Sequence, residues 1–67
     1  MTDVTLGEQI AAVQREIGMR ERVYPGLVAK GKMKLDESER GIAAMKAVLA
    51  TLRAIETNMQ TVMRGRQ

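Results

Sequence analysis

Polar and cationic side chains cluster around the only proline of this 67-residue sequence. The cluster lies between positions 20 and 34, and its members are Arg20, Arg22, Tyr24, Lys30, Lys32 and Lys34. Arginine can clamp a phosphate through two parallel N–H donors, lysine attracts it as a point charge, and tyrosine offers a hydroxyl. The cluster therefore predicts a ligand-binding site for a small anion such as a nucleotide. The alternative is that these residues form a solvated basic loop.

Catalytic chemistry is not indicated. The sequence contains neither His nor Cys, which removes the common zinc sites and the His- or Cys-based nucleophilic triads. Asp36, Glu37 and Glu39 could hold a hard cation, but acidic residues at a helix start ordinarily complement the helix dipole. We therefore expect a protein that is not an enzyme and that has no catalytic residue, no metal and no cofactor.

One short motif resembles a nucleotide-binding loop. Residues 26–32, GLVAKGK, fit the GxxxxGK part of a P-loop. That loop requires Ser or Thr next, to reach magnesium, and here the position is Met33. No strand precedes the motif, so the sequence argues against a nucleotide hydrolase.

The formal net charge is +3, with positive charge concentrated around the turn and at the C-terminal tip. A protein that binds duplex nucleic acid usually carries basic residues along a whole face. Here Glu16, Glu21 and Glu56 interrupt any such stripe. A weak nucleic-acid-binding accessory protein therefore remains a lesser alternative.

The segment before the cluster has the pattern of an amphipathic helix. Thr5 and Glu8 have the spacing of a capping box, and the apolar residues that follow are three or four positions apart. We expect helix one to cover about residues 5–24, because Pro25 disfavours helical geometry at Tyr24 and lacks an N–H. The helix would end or kink there.

The next segment, residues 25–34, is expected to be a short turn with Gly31 as a left-handed stop. Helix two is expected over about residues 36–64, with Asp36 as its N-cap and Glu39 as the capping-box partner. Its apolar residues keep a three-four spacing. They are Ile42, Met45, Leu49, Leu52, Met59 and Met63.

These elements predict an all-α fold, an antiparallel helical hairpin that forms a single domain over residues 1–67. Val48, Ile55 and Val62 form a second apolar row on helix two, and one short helix cannot cover both rows. We therefore expect a homo-oligomeric helix bundle, most simply a dimer. Its predicted interface residues are Val48, Leu52, Ile55, Met59 and Val62.

Four residues interrupt the pattern. Arg20 and Glu56 stand where apolar side chains are expected. Each could reach outward from the edge of the apolar stripe. Alternatively, Arg20 could face a polar pocket, and Glu56 could fix the register between subunits. Gly18 and Gly41 would lie at similar heights, which suggests a close approach of the two helices.

Two sequence features bear on location. No apolar run is long enough to span a membrane, and the first residues, MTDVTLGEQ, lack the pattern of a signal peptide. We expect a cytoplasmic protein without a membrane partner.

The sequence also resembles a group of proteins. The pattern RExxMRxRVYPxxVxxGK, starting at Arg15 and including Tyr24 and Pro25, is similar to small helical proteins encoded by bacteriophages and prophages. No activity is established for that group. The resemblance implies a phage protein that acts in the host cytoplasm, either by sequestering a nucleotide signal of bacterial immunity or by modulating a host protein.

Overall fold

The computed structural model describes the backbone of residues 3–65 and the side chains of residues 3–60. It contains helix α1, Leu6–Ala29, and helix α2, Leu35–Gly65. The two helices pack against each other as a hairpin. This confirms the predicted all-α hairpin; assembly into an oligomer is a separate question. Within the described part of the chain, neither helix is long and apolar enough to cross a membrane.

Helix α1 begins with the predicted capping box. The Glu8 N–H donates to Thr5 Oγ1 at 3.1 Å, and the Thr5 N–H donates to Glu8 Oε1 at 3.4 Å. These bonds satisfy two amides that the first turn of a helix otherwise leaves without an intrahelical acceptor.

The expected end of α1 at Tyr24 is wrong, because the helix continues through Pro25 to Ala29. Proline lacks an N–H, so the Glu21 carbonyl loses its usual helical donor, but the fixed φ of proline suits a helix. Continuing the helix also brings Leu27 and Val28 into partly buried positions. Their burial offsets the lost hydrogen bond, and the connection between the helices shrinks from residues 25–34 to residues 30–34.

The stop predicted at Gly31 is confirmed. Gly31 has a φ of 72°, which is the left-handed region. Its N–H donates to the Val28 carbonyl at 3.0 Å, and the Lys32 N–H donates to the Leu27 carbonyl at 2.9 Å. This pair of bonds is a Schellman motif, which satisfies the last carbonyls of α1.

The predicted capping of α2 by Asp36 and Glu39 is wrong. The helix begins at Leu35, and the first helical hydrogen bond runs from the Ser38 N–H to the Lys34 carbonyl at 3.0 Å. Glu37, not Glu39, reaches back to the Lys34 N–H, at 3.4 Å. Lys34 has no side-chain acceptor to return the bond, so only half of a capping box forms.

The core between the helices is thin. Among the described side chains, only two apolar ones are buried, Ile10 at 9% exposure and Ile17 at 8%. Four of the helix-two residues that follow the three-four spacing are half-buried, namely Ile42, Met45, Leu49 and Leu52. Met59, expected in the same row, is exposed, and Met63 lies outside the described side chains. We call the side of each helix that faces the other the seam. It includes Ile10 and Ile17 of α1 and the half-buried apolar residues of α2.

Candidate functional site

Arg20 lies in the seam and links the two helices. Its Nε donates to Glu16 Oε2 at 2.8 Å, and its Nη1 donates to the Gly41 carbonyl of α2, also at 2.8 Å. The side chain is 24% exposed. Arg20 therefore does not reach outward from the apolar stripe; it crosses to the other helix, a contact that the sequence did not predict.

Tyr24 completes this contact. The Arg20 guanidinium carbon lies 5.8 Å from the centroid of the Tyr24 ring, within cation–π range. A Cβ added to Gly41 would lie 3.3 Å from Tyr24 Cε2 and 3.6 Å from Arg20 Nη1. The helices thus approach closely at Gly41. At Gly18 an added Cβ would meet nothing within 4 Å, so the close approach expected there is wrong.

The electrostatics of the contact favour a permanently charged Arg20. The hydrogen bond that Arg20 donates to Glu16 raises the pKa of the Arg20 guanidinium above its ordinary value, and this outweighs partial desolvation, which lowers it. Two of the five donors of the guanidinium are already engaged with protein groups. Arg20 and Tyr24 are therefore placed to stabilise the hairpin near the turn.

The other predicted ligand-binding residues are exposed and separate into two groups. Arg22 and Lys30 are exposed side chains that do not line the depression at the turn. Lys32 and Lys34 belong to the loop between the helices and border that depression. The structure thus brings together two of the six predicted residues at one concave surface.

This depression is open to solvent and has a volume of about 730 Å³. Its lining comprises Gly31, Lys32, Met33, Lys34, Asp36, Glu37 and Arg40. Arg40 was not among the residues predicted from the sequence. A signal was available, because Arg40 follows Asp36 by four positions and so shares its side of α2.

Both acidic and basic side chains line the depression, and they differ in whether other protein groups already engage them. Asp36 Oδ1 accepts the Glu37 N–H at 2.9 Å, and Glu37 Oε1 accepts the Lys34 N–H at 3.4 Å. Both carboxylates are thus directed toward backbone amides of the first turn of α2. In the described residues, no ion pair engages Lys32, Lys34 or Arg40.

Metal chemistry has little support here. Among the described residues, no group of three or more His, Cys, Asp or Glu side chains is arranged to hold a metal ion. Asp36 and Glu37 act on backbone amides instead.

The predicted interface residues fall into three groups. Val48, Ile55 and Met59 are exposed, at 43%, 44% and 54%. Leu52 is half-buried, on the side of α2 that carries the other half-buried apolar residues. Val62 lies outside the residues whose side chains are described.

Comparison with known proteins gives no assignment: no family model, no curated protein and no solved structure matches this chain. The functional inferences below therefore depend on the chain's own residues.

Proposed function

We propose that this chain is a non-enzymatic binding protein that holds a small anionic ligand at the turn of the hairpin. The observation that supports the proposal is the depression bordered by Lys32, Lys34 and Arg40. Its volume of about 730 Å³ falls within the roughly 300–1,000 Å³ typical of small-molecule sites. The ligand class is a phosphate-bearing molecule such as a nucleotide.

The charge arrangement favours an anion. Three cationic side chains border the space, while the carboxylates of Asp36 and Glu37 are turned toward backbone N–H groups. The N-terminal end of α2 adds a partial positive charge at the same place. Lysine and arginine side chains carry several N–H donors and no acceptor, so they suit a ligand that offers only acceptors, such as a phosphate.

The proposal revises the residue set expected from the sequence. Arg20 and Tyr24 hold the helices together beside the turn, and they support the site without lining it. Arg22 and Lys30 contribute to the positive field around the turn. Lys32, Lys34 and Arg40 are the residues that contact the ligand.

The biological context of the proposal comes from the resemblance to small phage and prophage proteins. A phage protein that binds a nucleotide without changing it would remove a signal of bacterial immunity from the host cytoplasm. Such a sponge needs no nucleophile or general base. The lack of His and Cys is consistent with that role.

The test is calorimetric titration with a panel of mono-, di- and cyclic nucleotides. We expect saturable binding to at least one of them, with the nucleotide recovered unchanged in the presence of magnesium. Replacing both Lys32 and Lys34 with Ala should weaken binding at least about tenfold, because charge-assisted hydrogen bonds are lost.

Lys46→Ala provides a matched control. Lys46 is an exposed lysine of α2 that lies away from the turn, 3.3 Å from Glu21, so its loss should leave nucleotide affinity unchanged. If no nucleotide produces heat or a thermal shift, the turn is a solvated loop and the proposal is wrong. Turnover above buffer would contradict the non-enzymatic role.

A second candidate function is docking onto a host protein. The observation that favours it is the exposed apolar row of Val48, Ile55 and Met59. Patches of this kind mark protein interaction sites when they are contiguous. The identity of the partner that covers this row is a separate question.

A further inference from the structure

The hairpin has two broad faces of different character. On one side, Lys46 Nζ lies 3.3 Å from Glu21 Oε2, which fixes one flank of each helix on a common charged face. A step of two residues along an α-helix is a rotation of about 200°. Val23 follows Glu21 by two residues and Val48 follows Lys46 by two, so both lie on the opposite flanks of their helices. Both therefore belong to the other face of the hairpin.

That other face is apolar. Ile55 is one heptad beyond Val48 on α2, and Met59 is one turn further, so they continue the same flank. Val23, Val48, Ile55 and Met59 are 44%, 43%, 44% and 54% exposed. We call these four residues the apolar face.

The charged groups of α2 avoid this face. Between positions 41 and 59, its charged residues are Lys46, Arg53 and Glu56. Arg53 follows Lys46 by one heptad and shares its charged flank, while Glu56 is in the seam, one turn beyond Leu52. The α2 flank between Val48 and Met59 therefore presents no charge that burial would desolvate.

The accessible area of the whole chain exceeds that of a compact monomer. The chain has 5439 Å² of accessible surface at a mass of 7.4 kDa. A compact monomer of that mass would expose about 4,200 Å². The excess is roughly 1,200 Å², and a standard stable interface removes about 800 Å² from each partner.

The shape agrees with this estimate. The shortest dimension is 16 Å, the thickness of a single layer of helices. Domains are normally stable when two layers enclose a core. Here the described side chains give only Ile10 and Ile17 as buried apolar residues, which is little for a stable fold.

We infer that a second copy of this chain covers the apolar face, so that two hairpins form a four-helix bundle. The uncharged α2 flank of this face is complementary to itself, which is what a twofold-symmetric interface requires. In this arrangement the charged face with Glu21 and Lys46 remains in water. A second layer also supplies the core that one hairpin lacks, so the partner is needed for the fold itself.

The first experiment is sedimentation equilibrium on the full chain at micromolar concentration. We expect a mass twice the 7.4 kDa of one chain. Ile55→Lys should weaken self-association at least about a hundredfold, because it places a charge in the apolar interface. Thr57→Lys is the matched control: it introduces the same side chain two residues away, at an exposed position on the charged flank, and should leave the dimer intact.

A second measurement keeps the inference testable if Ile55→Lys fails to fold. A spin label on Ala44→Cys, four residues before Val48, should broaden the methyl signals of Val48 and Ile55 in a separately labelled wild-type chain. The same label at Thr57→Cys should broaden them much less.

Several outcomes would overturn the inference. They are a wild-type monomer at these concentrations, a dimer unaffected by Ile55→Lys, and no broadening between chains. A monomer whose apolar face becomes protected only when a different protein is added would assign the face to that protein instead. Because the turn and the apolar face are separate surfaces, a chain that dimerises but binds no nucleotide would overturn the proposed function alone.

Discussion

At the scale of single residues, one polar contact organises the end of the hairpin near the turn. Arg20 occupies a seam position where the apolar pattern is interrupted, and it donates to Glu16 on its own helix and to the Gly41 carbonyl on the other. That carbonyl already accepts a helical bond, and a carbonyl has a second lone pair available. The interruption in the pattern thus marks a specific link between the helices.

The first prediction concerns this link. Arg20→Ala should lower the melting temperature by several degrees, because it removes the hydrogen bond to Gly41 and the cation–π contact with Tyr24. Arg20→Lys should not restore it, since lysine cannot donate along two fixed directions at once. Arg22→Ala is the control: Arg22 is exposed, and its loss should have little effect in a circular-dichroism melt. Equal melting temperatures for Arg20→Ala and Arg22→Ala would contradict the role of Arg20.

The second prediction compares two glycines. Gly41→Leu should destabilise the protein by about 1–3 kcal/mol, because its Cβ alone would lie 3.3 Å from the Tyr24 ring and the side chain has no room. Gly18→Leu should be neutral or stabilising by up to about 1 kcal/mol, since an added Cβ meets nothing within 4 Å and helix propensity improves. Urea unfolding measures both. A Gly41 variant at least as stable as the Gly18 variant would show that the close approach is absent.

At the scale of the elements, local signals predicted the starts and stops that depend on neighbouring residues alone. The Thr5–Glu8 box and the Gly31 stop are both present. The errors arose where a local rule competed with packing. Pro25 disfavours a helix locally, but burial of Leu27 and Val28 carries α1 to Ala29.

The start of α2 shows a different limit. Asp36 has the residue type of an N-cap, yet the helix begins one residue earlier, at Leu35. Glu37 then takes the position from which a carboxylate can reach back to the amide of Lys34. Several acidic residues in succession offer alternative helix starts, and residue type alone does not distinguish them.

The third prediction tests the end of α1. Gly31→Ala should destabilise the hairpin by about 1 kcal/mol, because Gly31 has a φ of 72° that alanine adopts only with strain. Gly26→Ala is matched to it: Gly26 is an exposed helical glycine with open space around it, so alanine should stabilise the protein by up to about 1 kcal/mol. The measurement is the free energy of unfolding in urea. If both variants shift stability in the same direction, Gly31 does not hold a left-handed stop.

At the scale of the whole molecule, the candidate site could be predicted only in part. The sequence placed six polar or cationic residues near one turn, but whether they converge depends on the register between the helices. That register turns Arg20 and Tyr24 toward Gly41 and leaves Lys32 and Lys34 at the depression. Arg40 joins them from α2, and the only signal for it was its helical spacing of four from Asp36, outside the basic cluster.

The apolar surface was easier to anticipate. A helix with two apolar rows needs two neighbours, and that argument uses only the helical period. The structure leaves Val48 and Ile55 exposed, as expected of a row that α1 does not cover. It adds Val23 from α1 and Met59, which was expected in the other row, to the same face. Val23 could be assigned to that face only once the Glu21–Lys46 pair had fixed which flanks lie together.

The last prediction follows from the dependence of folding on burial of the apolar face. If two hairpins share one core, unfolding and dissociation occur together, and the melting temperature must rise with protein concentration. Over about a hundredfold range of concentration, mass action adds about 2.7 kcal/mol per dimer, enough to raise the melting temperature by several degrees. Added sodium chloride should change this little, because the α2 flank of the apolar face lacks charges for salt to screen, whereas sulfate should raise it further. Circular-dichroism melts at several concentrations provide the measurement, with Thr57→Lys as the control whose melting temperature should depend on concentration as that of the wild type does. A wild-type melting temperature that is constant across the range would mean that the hairpin folds without a second copy.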